Sequence, residues 1–451
     1  MLGFLRFMLL DAVAIVGATV IPMDSERVLP NQTVLVEGQR IVAVGPADRV
    51  AVPKGARRID AAGKFLIPGL VDTHIHIPPE GSDDARAARE FRLFLAHGVT
   101  TARVMIGQVE HLGLRDRIAS GAWLGPTLYV ASPPLGIKAG SLPGVPEIKA
   151  PEDALRFALD AKRAGYDGVK VLDGMSREEY DAFVAGAREA GLPVWGHVPD
   201  PVGLSRALAA RQDSIDHLAG YLEALIPADS PLHKQEAIRL ADALAAIDEG
   251  LLPGAVAATR AAGIANVPTL DFWSVLVNAA SPGELRKRPG LEYVPAKQVA
   301  EWSEQQRKAR ERNPRAGEVV YRYHALRARI VGALHAAGLP VLLGTDSPDT
   351  WNVAGVSALE ELKLLVAAGF TARAALHAAT RGPAAFLKGE AEYGSIAPGR
   401  RADLVLLDAD PLVDIANLSR RAGVMVRGRF LPAAELDGWL REIAAAAKQD
   451  R

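Results

Sequence analysis

The chain contains no cysteine, and that absence removes disulfides, thiolate metal sites and cysteine nucleophiles together. Any metal must be held by histidine, carboxylate or a modified lysine. Surplus charge is missing too: 52 Lys plus Arg face 53 Asp plus Glu, a formal net charge of −1, so nothing draws the chain towards nucleic acid. No apolar run reaches the roughly 18–20 uninterrupted residues of a membrane span. What is present, 49% hydrophobic and 23% charged residues, suits a soluble globular enzyme and excludes a disordered polymer or a fibrous repeat. At roughly 100–200 residues per domain, 451 residues allow two or three domains or one α/β barrel with an appendage.

Met1 to Leu10 is apolar with a single Arg6, as a leader remnant would be, but no small-residue cleavage pattern precedes Asp11. The expectation is therefore a strand start over Ala12 to Met23 and a cytoplasmic protein, in preference to a secreted or periplasmic one.

The first sixty residues read as short strands: Ala12 to Ile21, Gln32 to Val36 and Ile41 to Gly45, with a turn at Glu37-Gly38-Gln39-Arg40. From Phe65 apolar strands alternate with Ala-rich amphipathic helices, the pattern of parallel βαβ units. Eight strands are expected, at Phe65 to Ile77, Val99 to Met105, Thr127 to Ser132, Gly168 to Leu172, Val194 to Val198, Ser214 to Leu218, Asn266 to Asp271 and Val341 to Thr345. Helices are expected at Pro151 to Ala164, Arg177 to Ala190, Ser357 to Ala368 and Thr371 to Ala379. This predicts an α/β fold, a (β/α)8 TIM barrel over 65–388. Strand character returns at Gly394 to Ile396, Ala402 to Asp408 and Val424 to Phe430. Neither β-rich end is large enough to bury a core alone, so 1–64 and 389–432 are expected to share a small β-sandwich, followed by a C-terminal helix over 433–451. The charged segment Ser281 to Gly338, with Arg307, Lys308, Arg310 and Arg312, reads equally as a lid over the barrel mouth or as a solvated helix pair.

The strongest local signal is Pro68-Gly69-Leu70-Val71-Asp72-Thr73-His74-Ile75-His76. Side chains alternate along a strand, so His74 and His76 project to one side and can grip one metal. A bare His-x-His is weak, but here it ends the first barrel strand, where catalytic groups of such barrels sit. Asp72 shares that face and reads as an orienter of the histidines or, more simply, as a buried structural hydrogen-bond partner. Lys170 stands mid-strand in Gly168-Val169-Lys170-Val171-Leu172, where both faces are covered and a lone ammonium is costly. Either an acidic neighbour pairs it, or the deprotonated amine takes up CO2 to become a carbamate able to bridge two cations. His197 and His217 close their own strands, and Asp346 ends the eighth within Gly344-Thr345-Asp346, placed to bind metal and accept a proton. The other six histidines, His97, His111, His233, His324, His335 and His377, fall on helices or connections and are read as non-catalytic.

At these residues the sequence resembles the amidohydrolase superfamily, in its imidazolonepropionase-like and Xaa-Pro/Xaa-Arg dipeptidase branch with a binuclear metal site. The likeness spans nearly the whole chain. It includes Gly98-Val99-Thr100-Thr101, the Gly-Val-Lys of strand four, the Gly-Thr-Asp of strand eight and the tail Gly394-Ser395-Ile396-Ala397-Pro398-Gly399-Arg400-Arg401-Ala402-Asp403-Leu404-Val405. The resemblance implies two divalent ions, most readily Zn2+, one held by His74, His76 and Asp346, the other by His197 and His217, bridged by carboxylated Lys170. Mononuclear deaminases of this fold place a Glu three positions after the strand-five His; here His197 is followed by Val198-Pro199-Asp200. Mononuclear imidazolonepropionases lack the strand-four Lys, so two metals are favoured. Where relatives often read Thr-Thr-Val-Arg-Asp, this chain reads Thr101-Ala102-Arg103-Val104-Met105.

The implied reaction is attack of a hydroxide shared by the two cations on an amide carbonyl, with Asp346 shuttling the proton to the amine and His197 assisting at the oxyanion. A small molecule such as a dipeptide or N-acyl amino acid is the expected substrate, its carboxylate held by Tyr221, Arg103 or Lys138. Lactone or ester hydrolysis on the same site is the alternative, with a non-catalytic scaffold a third. Neither nucleic acid nor membrane is an expected partner, and homo-oligomerisation is compatible with this reading.

Overall fold

Seven parallel strands, Leu70–Ile75, Val99–Val104, Thr127–Leu135, Gly168–Val171, Val194–Gly196, Ser214–Asp216 and Ala265–Val267, pair in sequence order in the computed structural model. It describes residues 12–78, 81, 83–235, 238–276, 280–312 and 316–449. Residues 341–347 close the ring without forming a continuous ladder: Leu342 N donates to Asn266 O (2.9 Å), Thr73 N to Leu343 O (2.9 Å) and His76 N to Ser347 O (2.9 Å). The result is a (β/α)8 barrel wrapped in helices. The apolar segment Met1 to Leu10 lies outside the described residues.

Local chemistry accounts for the regular pieces. Helix Arg177–Ala190 begins at Ser176, whose hydroxyl accepts from Glu179 N (3.2 Å) while the Glu179 carboxylate accepts from Ser176 N (2.8 Å). It ends at left-handed Gly191, and its spaced Tyr180, Phe183, Val184 and Ala187 are buried. Helix Pro151–Ala164 runs as its spacing predicts and stops at left-handed Gly165.

Eight strands drawn from both chain ends form a second sheet, a small β-sandwich around Val13, Ile15, Val34, Ile41, Leu404 and Met425. Phe65–Pro68, expected to open the barrel, instead pairs antiparallel with Leu404–Leu407 in this sheet; the barrel begins after Gly69. Expected strand Val424 to Phe430 is a hairpin, Arg421–Val426 and Arg429–Pro432, because Arg427 and Gly428 adopt left-handed φ. Gly394 to Ile396 forms no strand. Leu270 and Asp271, expected at the end of strand seven, open helix Leu270–Leu276. The 281–338 insertion folds into helices Pro282–Leu285, Ala296–Arg312 and Ala316–Ala336, and helix Ala433–Gln449 ends the described chain. Among the described residues, no helix is long and apolar enough to cross a membrane.

The barrel interior is layered. Near its base the Arg103 guanidinium lies over the rings of Trp195 (4.8 Å) and Phe386 (5.4 Å), and the histidines stand above it at the carboxyl ends of the strands.

Candidate metal centre

Asp346 is the point of convergence. Its Oδ1 lies 2.6 Å from His76 Nε2 and 3.2 Å from His74 Nε2, and its Oδ2 lies 3.7 Å from His217 Nε2. Ligand atoms of His74, His217 and Asp346 all fall within 4.8 Å of one another, so one cation can be reached by all three. His197 continues the cluster, its ring centroid 4.7 Å from that of His217. Lys170, buried, lines the same cavity of about 560 Å³. The structure thus brings together all six side chains singled out in the sequence: His74, His76, Lys170, His197, His217 and Asp346.

Backbone geometry aims them. His197 and His217 each immediately follow a strand, and His217, Thr269 and Asp346 carry left-handed φ of 62°, 47° and 60°. A non-glycine residue in that conformation costs about 1–3 kcal/mol and persists where surrounding structure enforces it, often at functional sites. Gly196 makes the opposite provision. A Cβ there would come 2.9 Å from Lys170 Cδ and 2.3 Å from Val171 O, so only glycine leaves Lys170 its path into the cavity.

Partners behind the ring orient the imidazoles. The Asp173 Oδ1 carboxylate oxygen (2.8 Å) takes the Nδ1 proton of His197 and leaves its Nε2 for a ligand, and His217 Nδ1 contacts Thr269 Oγ1 (2.7 Å), which directs its Nε2 towards Asp346. His74 Nδ1 lies 3.1 Å from Asp216 Oδ2, an ionic approach without hydrogen-bond alignment. Asp216 is fully buried and also meets Lys170 Nζ (3.6 Å), Arg103 Nη2 (3.4 Å) and Ser214 Oγ (3.0 Å). Sequence reasoning missed it, although a carboxylate one residue before His217 in a buried parallel strand needs a cation as surely as Lys170 needs an anion. Asp173 and Thr269 were missed as well, since each acts from a loop beyond a strand.

Electrostatics follow from burial and these contacts. Burial pushes the Asp346 carboxyl up, but electrostatic attraction from the imidazoles of His74 and His217 and hydrogen bonds from His74 and His76 outweigh it, so it stays well below the usual carboxylate range. In Asp216 burial is likewise overcome, by Arg103, His74 and Lys170, and the group stays ionised. Burial lowers the Lys170 amine, with Arg103 adding to the effect and Asp216 and Asp346 opposing it. Burial holds His217 well below its ordinary value and lowers His197, favouring the neutral imidazoles that bind metal.

Asp72 is pushed up to about 6 by burial; its oxygens accept from His74 N (3.1 Å), Thr345 N (3.1 Å) and Thr345 Oγ1 (2.6 Å), tying strand one to the closing segment. The side chains considered for a substrate carboxylate lie apart from the cavity wall. Arg103 is wholly buried beneath the histidines, Tyr221 is buried with its hydroxyl on Thr259 Oγ1 (2.9 Å), and Lys138 is exposed beside a different depression. Of the 281–338 insertion, Tyr323 reaches the cavity, while Arg307 pairs with Glu304 and Glu311 on the surface.

Comparison with known proteins bears on the same frame, since the amidohydrolase family model matches residues 65–431. The chain belongs to the amidohydrolase family. Among amidohydrolase relatives it is 28% identical over 419 residues to imidazolonepropionase of Cereibacter sphaeroides, covering 89% of this chain and 93% of that one. Bottromycin amidohydrolase, a solved structure, superposes with a TM-score of 0.75 at 26% identity, over 97% of this chain and 91% of the other. Likeness to 5-methylthioadenosine/S-adenosylhomocysteine deaminase of Symbiobacterium thermophilum is 47% but runs over only 68 residues, 15% of this chain and 16% of the deaminase. The chain is an amidohydrolase-family enzyme, and its buried His/His/Asp group suits the divalent metal typical of that family.

Proposed function

We propose that this enzyme hydrolyses the C–N bond of a small amide, such as a dipeptide or N-acyl amino acid, at the six-residue centre. The observation that carries the reading is the approach of three imidazoles to one carboxylate, Asp346, in a cavity that also holds a buried lysine. Neutral nitrogen donors with an ionised carboxylate match Zn2+. His74, His76 and Asp346 would hold one ion and His197 and His217 the other, with carboxylated Lys170 between them. Burial favours the neutral amine that reacts with CO2: Nζ bonds to the carbon and a proton is released. When bound, the cations would acidify a water and polarise the scissile carbonyl.

The chain's own residues supply the rest. Asp346, held ionised and already close to His76, accepts the proton of the attacking water at a carboxylate oxygen and delivers it to the departing nitrogen. Asp173 keeps His197 oriented through Nδ1, and Thr269 does the same for His217. Phe272 and Trp273 border the cavity with apolar surface against which the non-reacting part of a substrate packs. The test is turnover of zinc-loaded protein on a panel of dipeptides, acyl amino acids and lactones. Amide cleavage abolished in Asp346→Asn with metal retained supports the reading; activity confined to lactones overturns it.

A further inference from the structure

Where strands six and seven run out, His217, Leu218 and Thr269 all take left-handed backbone, with φ of 62°, 55° and 47°. The ladder stops there. His217 N still donates to Val267 O (2.8 Å), but His217 O accepts from a side chain, Nη1 of Arg327 (2.7 Å). Nη2 of the same guanidinium donates to Pro268 O (2.6 Å), one residue before Thr269. One side chain therefore grips the backbone of a metal-ligand candidate and the backbone beside its orienter, since Thr269 Oγ1 lies 2.7 Å from His217 Nδ1.

Arg327 comes from helix Ala316–Ala336 of the insertion and is fully buried. No carboxylate is hydrogen-bonded to it among the described residues: besides the two carbonyls, Nη1 donates to Tyr323 Oη (3.2 Å), and Nε has no partner. Its Cζ lies over the rings of Trp273 (4.7 Å) and Tyr323 (5.4 Å). Burying a guanidinium without an ion pair is costly, and an apolar side chain of similar size would fill the space at less cost. What arginine alone provides is a planar fork that holds two carbonyls at a fixed separation. The rings it stacks on extend the link, because Trp273 and Tyr323 line the metal cavity and the Trp273 ring stands 6.3 Å from that of His217.

We propose that Arg327 is a positioning residue of the metal centre: its fork on the carbonyls of His217 and Pro268 sets the direction of the His217 imidazole and joins that setting to the wall formed by Trp273 and Tyr323. The inference rests on the metal centre of the amide-hydrolase reading and extends it to a side chain outside the cavity. A substrate packed on Trp273 and Tyr323 bears on the same cation that holds His217, so substrate fit and ligand geometry are coupled. A merely structural tie between helix and barrel would lower stability when cut and leave the metal's surroundings unaltered.

The experiment uses full-length protein loaded with Co2+, whose visible absorption bands report ligand geometry, together with zinc affinity by chelator competition and Tm. Arg327→Ala should displace the cobalt bands and weaken zinc binding about tenfold. Guanidinium ion added at a non-denaturing concentration should return the bands towards wild type, and methylammonium should not. Leu326→Ala, a core truncation on the same helix, should lower Tm and change neither bands nor affinity. Unaltered bands and affinity in folded Arg327→Ala, or an equal change in Leu326→Ala, overturn the inference. If Arg327→Ala does not fold, Arg327→Lys, which keeps the charge and loses the fork, decides by the same bands: displaced bands support the inference and wild-type bands overturn it. None of these readouts uses a substrate, so failure of amide hydrolysis leaves them standing, whereas wild type that takes up no cobalt overturns the metal centre and this inference together.

Discussion

Asp216 Oδ2 lies 3.1 Å from His74 Nδ1, so a metal-ligand candidate on strand one is braced by a carboxylate on strand six. The same carboxylate faces Lys170 and Arg103, both buried. Asp216→Asn keeps the shape and removes the charge, leaving the buried Arg103 guanidinium without its carboxylate, a change that costs about 3–5 kcal/mol when a buried pair loses one partner. Urea unfolding should register a loss of that order. Zinc affinity by chelator competition should drop about 10–100-fold. Wild-type values in both would show that Asp216 braces nothing.

Thr269 makes an independent test of the orienting contacts. Thr269→Val conserves volume but removes the oxygen at 2.7 Å from His217 Nδ1. A buried imidazole nitrogen without a partner costs about 1–3 kcal/mol. Thermal unfolding should fall accordingly, with weaker zinc retention during dialysis, whereas Thr269→Ser should preserve both.

Glu361 offers a pH test away from the metal. Burial raises its carboxyl to about 8, against hydrogen bonds from Asp271 N and Leu270 N, from an ordinary value of 4.5. The folded chain therefore keeps this proton where the unfolded chain has released it, so its contribution to stability is full below pH 4.5 and is lost as pH rises towards 8. Glu361→Gln should flatten the fall in Tm between about pH 5 and 9. Parallel curves for the two proteins would refute the assignment.

Much of this architecture was readable because its signals are local and periodic. Helices 151–164 and 177–190 carry capping residues and an apolar stripe, and His74, His197, His217 and Asp346 each lie at or near the end of an apolar run in the sequence. Other features depend on contacts remote in sequence. Phe65–Pro68 and Leu70–Ile75 form one apolar run, and only the partners they meet assign them to different sheets. Asp216 has no local cue beyond its burial, since His74, Arg103 and Lys170 come from three other strands. Residues considered for substrate contact were chosen for charge and nearness to strand ends; Arg103 satisfies both, yet it points inward under the histidines.

The central claim is that Lys170 and five neighbours hold a pair of divalent ions, and metal content measured beside activity tests it most directly. Protein saturated with zinc in bicarbonate buffer and then desalted should retain two equivalents per chain. Lys170→Ala should retain one or fewer and lose turnover, with partial recovery when a short-chain carboxylate is added. One equivalent in fully active wild type, or two in active Lys170→Ala, would contradict the account.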